Sequence, residues 1–162
     1  MNPLAIVPAR SGSQEIPNKN FKPIAPNRDN PIQLAVRCAR RAGCEVVVSS
    51  DREEEEPMRG VRWLRRPATL CRHTTPMCAV VEHVMLTIPG PADQIILLVQ
   101  PTQPLRRPKH LRAAIALLTR RTTPACIVSV VRTESVDKLY TIEHGVLQAC
   151  GLDVERRQEG HP

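Results

Sequence analysis

Aromatic side chains are almost missing from this chain of 162 residues: Phe21, Trp63 and Tyr140 are its only ones. That speaks against a single-strand nucleic-acid binder, which stacks bases on a row of aromatic rings. Long apolar runs are missing too. A run such as Ile95 to Val99 is far too short to span a bilayer. The N-terminus lacks a basic region leading into a long apolar stretch, so no secretion signal is expected and the expected location is cytoplasmic, with no membrane partner. Neither a Cys-x-x-Cys pair nor a Cys/His cluster at zinc-finger spacing occurs among Cys38, Cys44, Cys71, Cys78, Cys126 and Cys150. Most of these thiols lie in apolar stretches and are expected to pack as small hydrophobes. There is no internal repeat and no low-complexity linker.

What is present suits one domain. Hydrophobic residues make up 41% of the chain, enough for a globular core, which must be built from Leu, Ile, Val and Ala. Lys and Arg outnumber Asp and Glu by 23 to 16, for a formal charge of +7, so an anionic partner is expected. No duplex-reading element is recognisable, so nucleic acid is not expected and a phosphorylated small molecule explains the charge with fewer assumptions. The run "REEEE" at 52–56 reads as a solvated face of a short helix over Arg52 to Arg59.

Apolar runs of strand length recur at Leu4–Val7, Glu45–Ser49, Val61–Leu64, Gln94–Val99 and Ala125–Val131. Several are continuous rather than alternating, as buried parallel strands are. Between them lie helical patterns. Asn30 and Pro31 form a start and Gly43 a stop around Ile32 to Ala42. Thr74 or Thr75 with Pro76 opens a second helix, with Val80, Val81, Val84, Met85 and Leu86. Pro108 opens a third, with Leu111, Ala114, Ile115 and Leu118 on one face. Strand and helix in alternation predict an α/β sheet, mostly parallel.

Each proposed strand ends in polar residues: PARSGS after the first, Ser49-Ser50-Asp51 after the second, Arg65-Arg66-Pro67 after the third, Gln100-Pro101-Thr102-Gln103-Pro104 after the fourth. Open α/β sheets bind ligands beyond the carboxyl ends of their strands, so these groups are predicted to share one rim. Arg10 leaves the sheet at that rim, and Ser11, Gly12 and Ser13 can turn backbone N–H groups toward an anion.

These stretches resemble a known family. "IVPARSGSQEIPNKN" is similar to the PARGGSKGIPRKN signature of the acylneuraminate cytidylyltransferases, the CMP-sialic acid synthetases. "LLVQPTQPLR" at 97–106 resembles their LLQPTSPLR. "RRPATL" with "TTPM" and "VVEH" at 65–83, "IVSVV" at 127–131 and "RRQ" at 156–158 follow in the same order. The resemblance implies a Rossmann-like, three-layer αβα fold of the nucleotide-diphospho-sugar transferase type. It implies transfer of CMP from CTP to an acidic nine-carbon keto sugar with release of pyrophosphate and with Mg²⁺. It also implies the site: Arg10, Lys19 and Arg156 in a catalytic role, Arg10, Ser11, Gly12, Ser13, Asn20, Arg66 and Thr75 on the nucleotide, and Gln100 on the acidic sugar. Arg65, next to Arg66, is the alternative if the register slips by one.

The chain departs from the pattern in four places. Gln14 stands where the family has a phosphate-neutralising lysine, Glu15 where it has glycine, and His73 where it has aspartate. The sequence runs to Pro162, whereas the family continues with a YxxNG-type segment and an acidic D-x-D element that binds Mg²⁺ and adjoins a dimer contact. The expectation is therefore one nucleotide-binding domain over 1–155, a flexible tail over 156–162, and no protein metal ligands in this chain. CTP and a sugar acid are the expected substrates, and a homodimer is left open. A nucleotide-binding relative without full activity is the alternative reading, and a basic nucleic-acid-binding module the weaker one.

Overall fold

The structure is a computed structural model, and it describes residues 2–12, 16–26, 28–53, 57–123, 125–130, 140–143 and 146–149. The chain divides into two units, Met1–Ile127 and Val128–Pro162.

The first unit is built on a parallel sheet. Strands β1 (Leu4–Pro8), β2 (Glu45–Ser50), β3 (Val61–Arg65) and β4 (Ile96–Leu98) lie in the order β3-β2-β1-β4. The central strand β1 pairs Leu4 with Glu45 on one side and with Ile96 on the other. Every residue of β1 is buried, which explains the continuous rather than alternating apolar run. Its alternate side chains serve two cores. Ala5, Val7 and Ala9 join Val46, Val48 and Leu97 on one face. Leu4 and Ile6 join Val47 on the other. A fully buried Val or Ile contributes roughly 1.5–3 kcal/mol.

Helix α1 (Pro31–Arg41) covers the first face with Ile32, Ala35, Val36 and Ala39, a spacing of three and four residues. Its start is a capping box: the Gln33 N–H donates to the Asn30 side chain, and the Asn30 N–H donates to Gln33 Oε1, each at 2.9 Å. Its stop is Gly43, at φ 89°, a left-handed turn that glycine tolerates. Helix α3 (Pro108–Thr119) lies on the same face, with Leu111 buried and Ile115 against the core. Helix α2 (Met77–Thr87) covers the opposite face through Val84. Helices on both sides of a parallel sheet make the three-layer αβα arrangement expected.

Several local expectations change. No helix forms over the described residues of 52–59. Pro57 lacks an N–H there, and the Arg52 carbonyl instead accepts from Trp63 Nε1 at 2.7 Å. Residues 125–130 form no strand; most are exposed and have no ladder partner, and β-propensity without a packed neighbour does not make a strand. Among the described residues only Cys38 and Cys44 pack as buried thiols, both pushed up in pKa mainly by burial; Cys78 and Cys126 are exposed. Leu86 points to solvent at 78% exposure. In the second unit, β5 (Tyr140–Glu143) and β6 (Val146–Ala149) form an antiparallel pair that the sequence reading did not foresee. No helix among the described residues is long and apolar enough to cross a membrane.

Candidate active site at the strand ends

The chain builds β2 and β3 to one side of β1 and then crosses to put β4 on the other. That reversal is a topological switch point, and the crevice there is where open α/β sheets bind ligands. A cavity of about 210 Å³ lies at these strand ends. Its polar lining is Arg10, Lys19, Asn20, Arg66 and Gln100, completed by Pro8, Met77, Pro101 and Thr102. The five polar residues come from four places: the end of β1, the turn that follows it, the end of β3 and the end of β4.

Each is held by its own local structure. The Ala9 N–H donates to the buried Ser49 carbonyl at 2.8 Å, so β1 delivers Arg10 to the rim in a fixed direction. Arg10 Nη1 donates to the Gly12 carbonyl. Lys19 and Asn20 sit on a turn made by the Lys19 N–H to the Ile16 carbonyl and the Phe21 N–H to the Asn18 carbonyl. Asn18 takes φ 58°, which Asn adopts more readily than most residues. Asn20 is 7% exposed, and its Nδ2 donates to the Arg10 carbonyl at 3.3 Å. Its Oδ1 is buried with no partner among the described residues. Gln100 is fixed by its carbonyl, which accepts from Arg106 Nη2 at 3.3 Å; the same nitrogen donates to Gln103 Oε1 at 2.6 Å.

Arg66 is the most deeply placed charge, at 4% exposure. Its N–H donates to the Ser50 carbonyl at 2.6 Å. Nε donates to Ser49 Oγ at 3.1 Å and Nη2 to the Ser49 carbonyl at 2.8 Å. Burial pushes its pKa down; Cys71 and Asp51 pull it back up, and the nearby Arg10 charge pushes it down again. The two guanidinium groups line one cavity, and their like charges repel. Neither forms an ion pair among the described residues, and an anion between them would relieve the repulsion. Arg65 points elsewhere: its side chain is largely exposed and pairs with Glu53 at 2.7 Å. Between the two adjacent arginines, Arg66 is the one at the cavity.

Other predicted residues stand apart from the lining. Ser11 follows Arg10, but its N–H and Oγ donate to the two carboxylate oxygens of Asp51, at 2.8 and 2.5 Å. Burial pushes the Asp51 pKa up, and the Ser11 side-chain and backbone hydrogen bonds, with the Arg66 charge, outweigh it and hold the carboxyl below its ordinary range. Gly12 is exposed and supplies the carbonyl for Arg10. Thr75 lies two residues before the lining residue Met77 and does not cap α2, whose cap position is Pro76 with no side-chain hydrogen bond. His73 is exposed. Ser13, Gln14, Glu15 and Arg156 lie outside the described residues. Among the described residues no group of three or more His, Cys, Asp and Glu side chains could hold a metal ion. Asp51, the acid beside the site, has both oxygens accepting from Ser11.

Sequence reasoning missed Met77 and Thr102 in the lining. It also missed what Asp51 binds, since its partner is 40 residues away and no local pattern links them. A second cavity, of about 240 Å³, lies between Phe21, Ile32, Met58 and Trp63, with Arg28 at its edge. It contains none of the predicted site residues.

Comparison with known proteins bears on the whole chain. The profile of the cytidylyltransferase family matches residues 4–161. The chain is 31% identical over 144 residues to a CMP-N,N'-diacetyllegionaminic acid synthase of Legionella pneumophila, across 80% of this chain and 58% of that protein. It is 29% identical over 142 residues to an N-acylneuraminate cytidylyltransferase of Escherichia coli O18:K1:H7, across 84% of this chain and 33% of that protein. The chain therefore spans 58% and 33% of the lengths of these two relatives. Among solved structures, a CMP:2-keto-3-deoxy-manno-octonic acid synthetase complexed with CTP superposes with a TM-score of 0.54 at 22% identity, covering 74% of this chain and 48% of that one. A protein of Mycobacterium tuberculosis H37Rv superposes with a TM-score of 0.50 at 19% identity, covering 72% and 59%. At these identities the superpositions speak for the fold. The chain belongs to the cytidylyltransferase family.

Proposed function

We propose, starting from that family membership, that this chain carries the nucleotide site of a CTP-dependent cytidylyltransferase. The reaction moves CMP from CTP to an acidic keto sugar, an N-acylneuraminate or a relative, and releases pyrophosphate. A sugar hydroxyl attacks the α-phosphorus, the bond to the β-phosphate oxygen breaks, and pyrophosphate leaves. Catalysis of this kind consists mainly of positioning two anions and stabilising phosphate charge. Arg10 and Lys19 suit the phosphates, since a planar guanidinium and an ammonium are strong donors to phosphate oxygens. Arg66 and the unpartnered Asn20 Oδ1 suit the nucleoside, where an amino or hydroxyl group can donate to that oxygen. Gln100 suits the sugar acid. Thr75 is assigned to the nucleotide side as well, and Ser11, Gly12 and Ser13 to the phosphate loop. Arg156 would add a further cation. In this reading residues 1–155 act as one nucleotide-binding domain and the protein is cytoplasmic.

The observation that carries the proposal is the convergence of Arg10, Lys19, Asn20, Arg66 and Gln100 on one cavity at the switch point. A second reading, a nucleotide-binding relative with impaired catalysis, is favoured by Gln14 and Glu15, which stand where the family signature has a lysine and a glycine. Pyrophosphate release, measured with CTP, Mg²⁺ and a panel of nonulosonic and octulosonic acids, separates the two. Release with any of these acids supports the enzyme. CTP binding by calorimetry without release supports the second reading, and absence of both removes the nucleotide site altogether.

A further inference from the structure

The end of β2 contributes no lining residue to the strand-end cavity, yet it anchors both sides of it. Ser49 accepts from the Ala9 N–H on the β1 side and from Arg66 Nε and Nη2 on the β3 side. Ser50 accepts the Arg66 N–H. Asp51 completes the row by gripping Ser11 with both carboxylate oxygens. The Arg10 backbone is thus tied at three points: through Ala9 before it, through its own carbonyl to Asn20, and through Ser11 after it.

The choice of partner is informative. A carboxylate whose charge reaches Arg66 could neutralise an arginine directly, and a charged donor would be its stronger partner. Asp51 instead takes a neutral serine, and neither Arg10 nor Arg66 forms an ion pair with it. Its charge therefore holds the turn and forms no ion pair with either guanidinium group; Arg10 donates to the Gly12 carbonyl and Arg66 to Ser49.

We propose that Asp51 is a positioning residue for the anion site: by clamping Ser11 from the end of β2, it aims Arg10 across the cavity at Arg66 without consuming either charge. This rests on the reading of the cavity as a phosphate-binding site. Asp51 acts through Ser11 and Arg10, so its effect must vanish when Arg10 is gone.

A thermodynamic cycle tests this, with CTP and inorganic pyrophosphate as separate calorimetric probes. Asp51→Asn keeps the shape and loses the charge and one acceptor; it should weaken binding about tenfold, the scale of a charged hydrogen bond. Ser11→Ala removes one of the two clamp bonds and should weaken it by about threefold, which keeps the proposal testable if Asp51→Asn does not fold. In an Arg10→Ala background both substitutions should change affinity by less than about twofold. Wild-type affinity in Asp51→Asn and Ser11→Ala, or losses that add in full to that of Arg10→Ala, would overturn the proposal. If the wild-type protein binds pyrophosphate but not CTP, the cytidylyltransferase reading fails while the pyrophosphate cycle still decides the role of Asp51. If it binds neither, both fall, because there is no anion site to position.

Discussion

Two cavities of the sheet-bearing unit are close in size and differ in where their lining comes from. The larger, about 240 Å³, is walled by Phe21, Ile32, Met58 and Trp63. Those side chains pack against the core cluster of α1 and the sheet, so this cavity is a gap at the edge of the core. Asn30 and Gln33 border it too, but their polar groups serve the α1 capping box. The smaller, about 210 Å³, is lined by two arginines, a lysine, a buried asparagine and a glutamine brought from separate strand ends. Volume does not distinguish a site from a packing gap here. The charge of the lining does: a buried, desolvated Arg66 shares the cavity with Arg10 and Lys19, and a buried Asn20 oxygen there has no donor among the described residues.

This contrast can be broken by moving stability and binding apart. Arg66→Met should have the largest effect. It should cut CTP affinity about a hundredfold, the loss of a charged anchor with its hydrogen bonds. Unfolding stability in urea should stay within about 1 kcal/mol of wild type, because an apolar side chain of similar volume relieves the burial of a charge. Loss of stability without loss of binding would make Arg66 a structural residue. Trp63→Ala should do the reverse. It removes a half-buried ring and the bond to the Arg52 carbonyl, costing roughly 2 kcal/mol in urea unfolding, while CTP affinity changes by less than about twofold. A large affinity loss there would shift the ligand to the aromatic cavity.

The smallest effect concerns pH. The Asp51 carboxyl is held below its ordinary pKa of 3.8 in the folded chain, so its contribution to stability is present above that value and is lost as the pH falls through the folded value. Asp51→Asn carries no such proton linkage. Wild-type stability should therefore fall more steeply than that of the variant between about pH 5 and pH 3. Parallel slopes in urea titrations would mean that the clamp on Ser11 is not formed in solution.

Much of the sheet was legible because its signals are local. Continuous apolar runs at 4–7 and 45–49 mark strands buried on both faces, and the polar residues that follow them mark the rim. Asn30, Pro31 and Gly43 bracket α1 by capping chemistry alone. Arg10, Arg66 and Gln100 were legible at strand ends, since parallel strands put all their carboxyl ends on one side; Lys19 and Asn20 were legible only through the resemblance to the family signature. What failed was non-local. The run at 125–130 has strand composition but no pairing partner, and 52–59 has helical charge patterning with Pro57 in its path and its Arg52 carbonyl claimed by Trp63. The Asp51–Ser11 clamp and the Met77 lining depend on segments far apart in sequence, for which the letters carry no pattern.

A crystal structure of the protein grown with CTP tests the central claim most directly. The account predicts the nucleotide at the β1–β4 switch point, with phosphate oxygens within hydrogen-bond distance of Arg10 and with Arg66 and Asn20 facing the nucleoside. Density for CTP in the aromatic cavity, or on a surface away from both arginines, would contradict it.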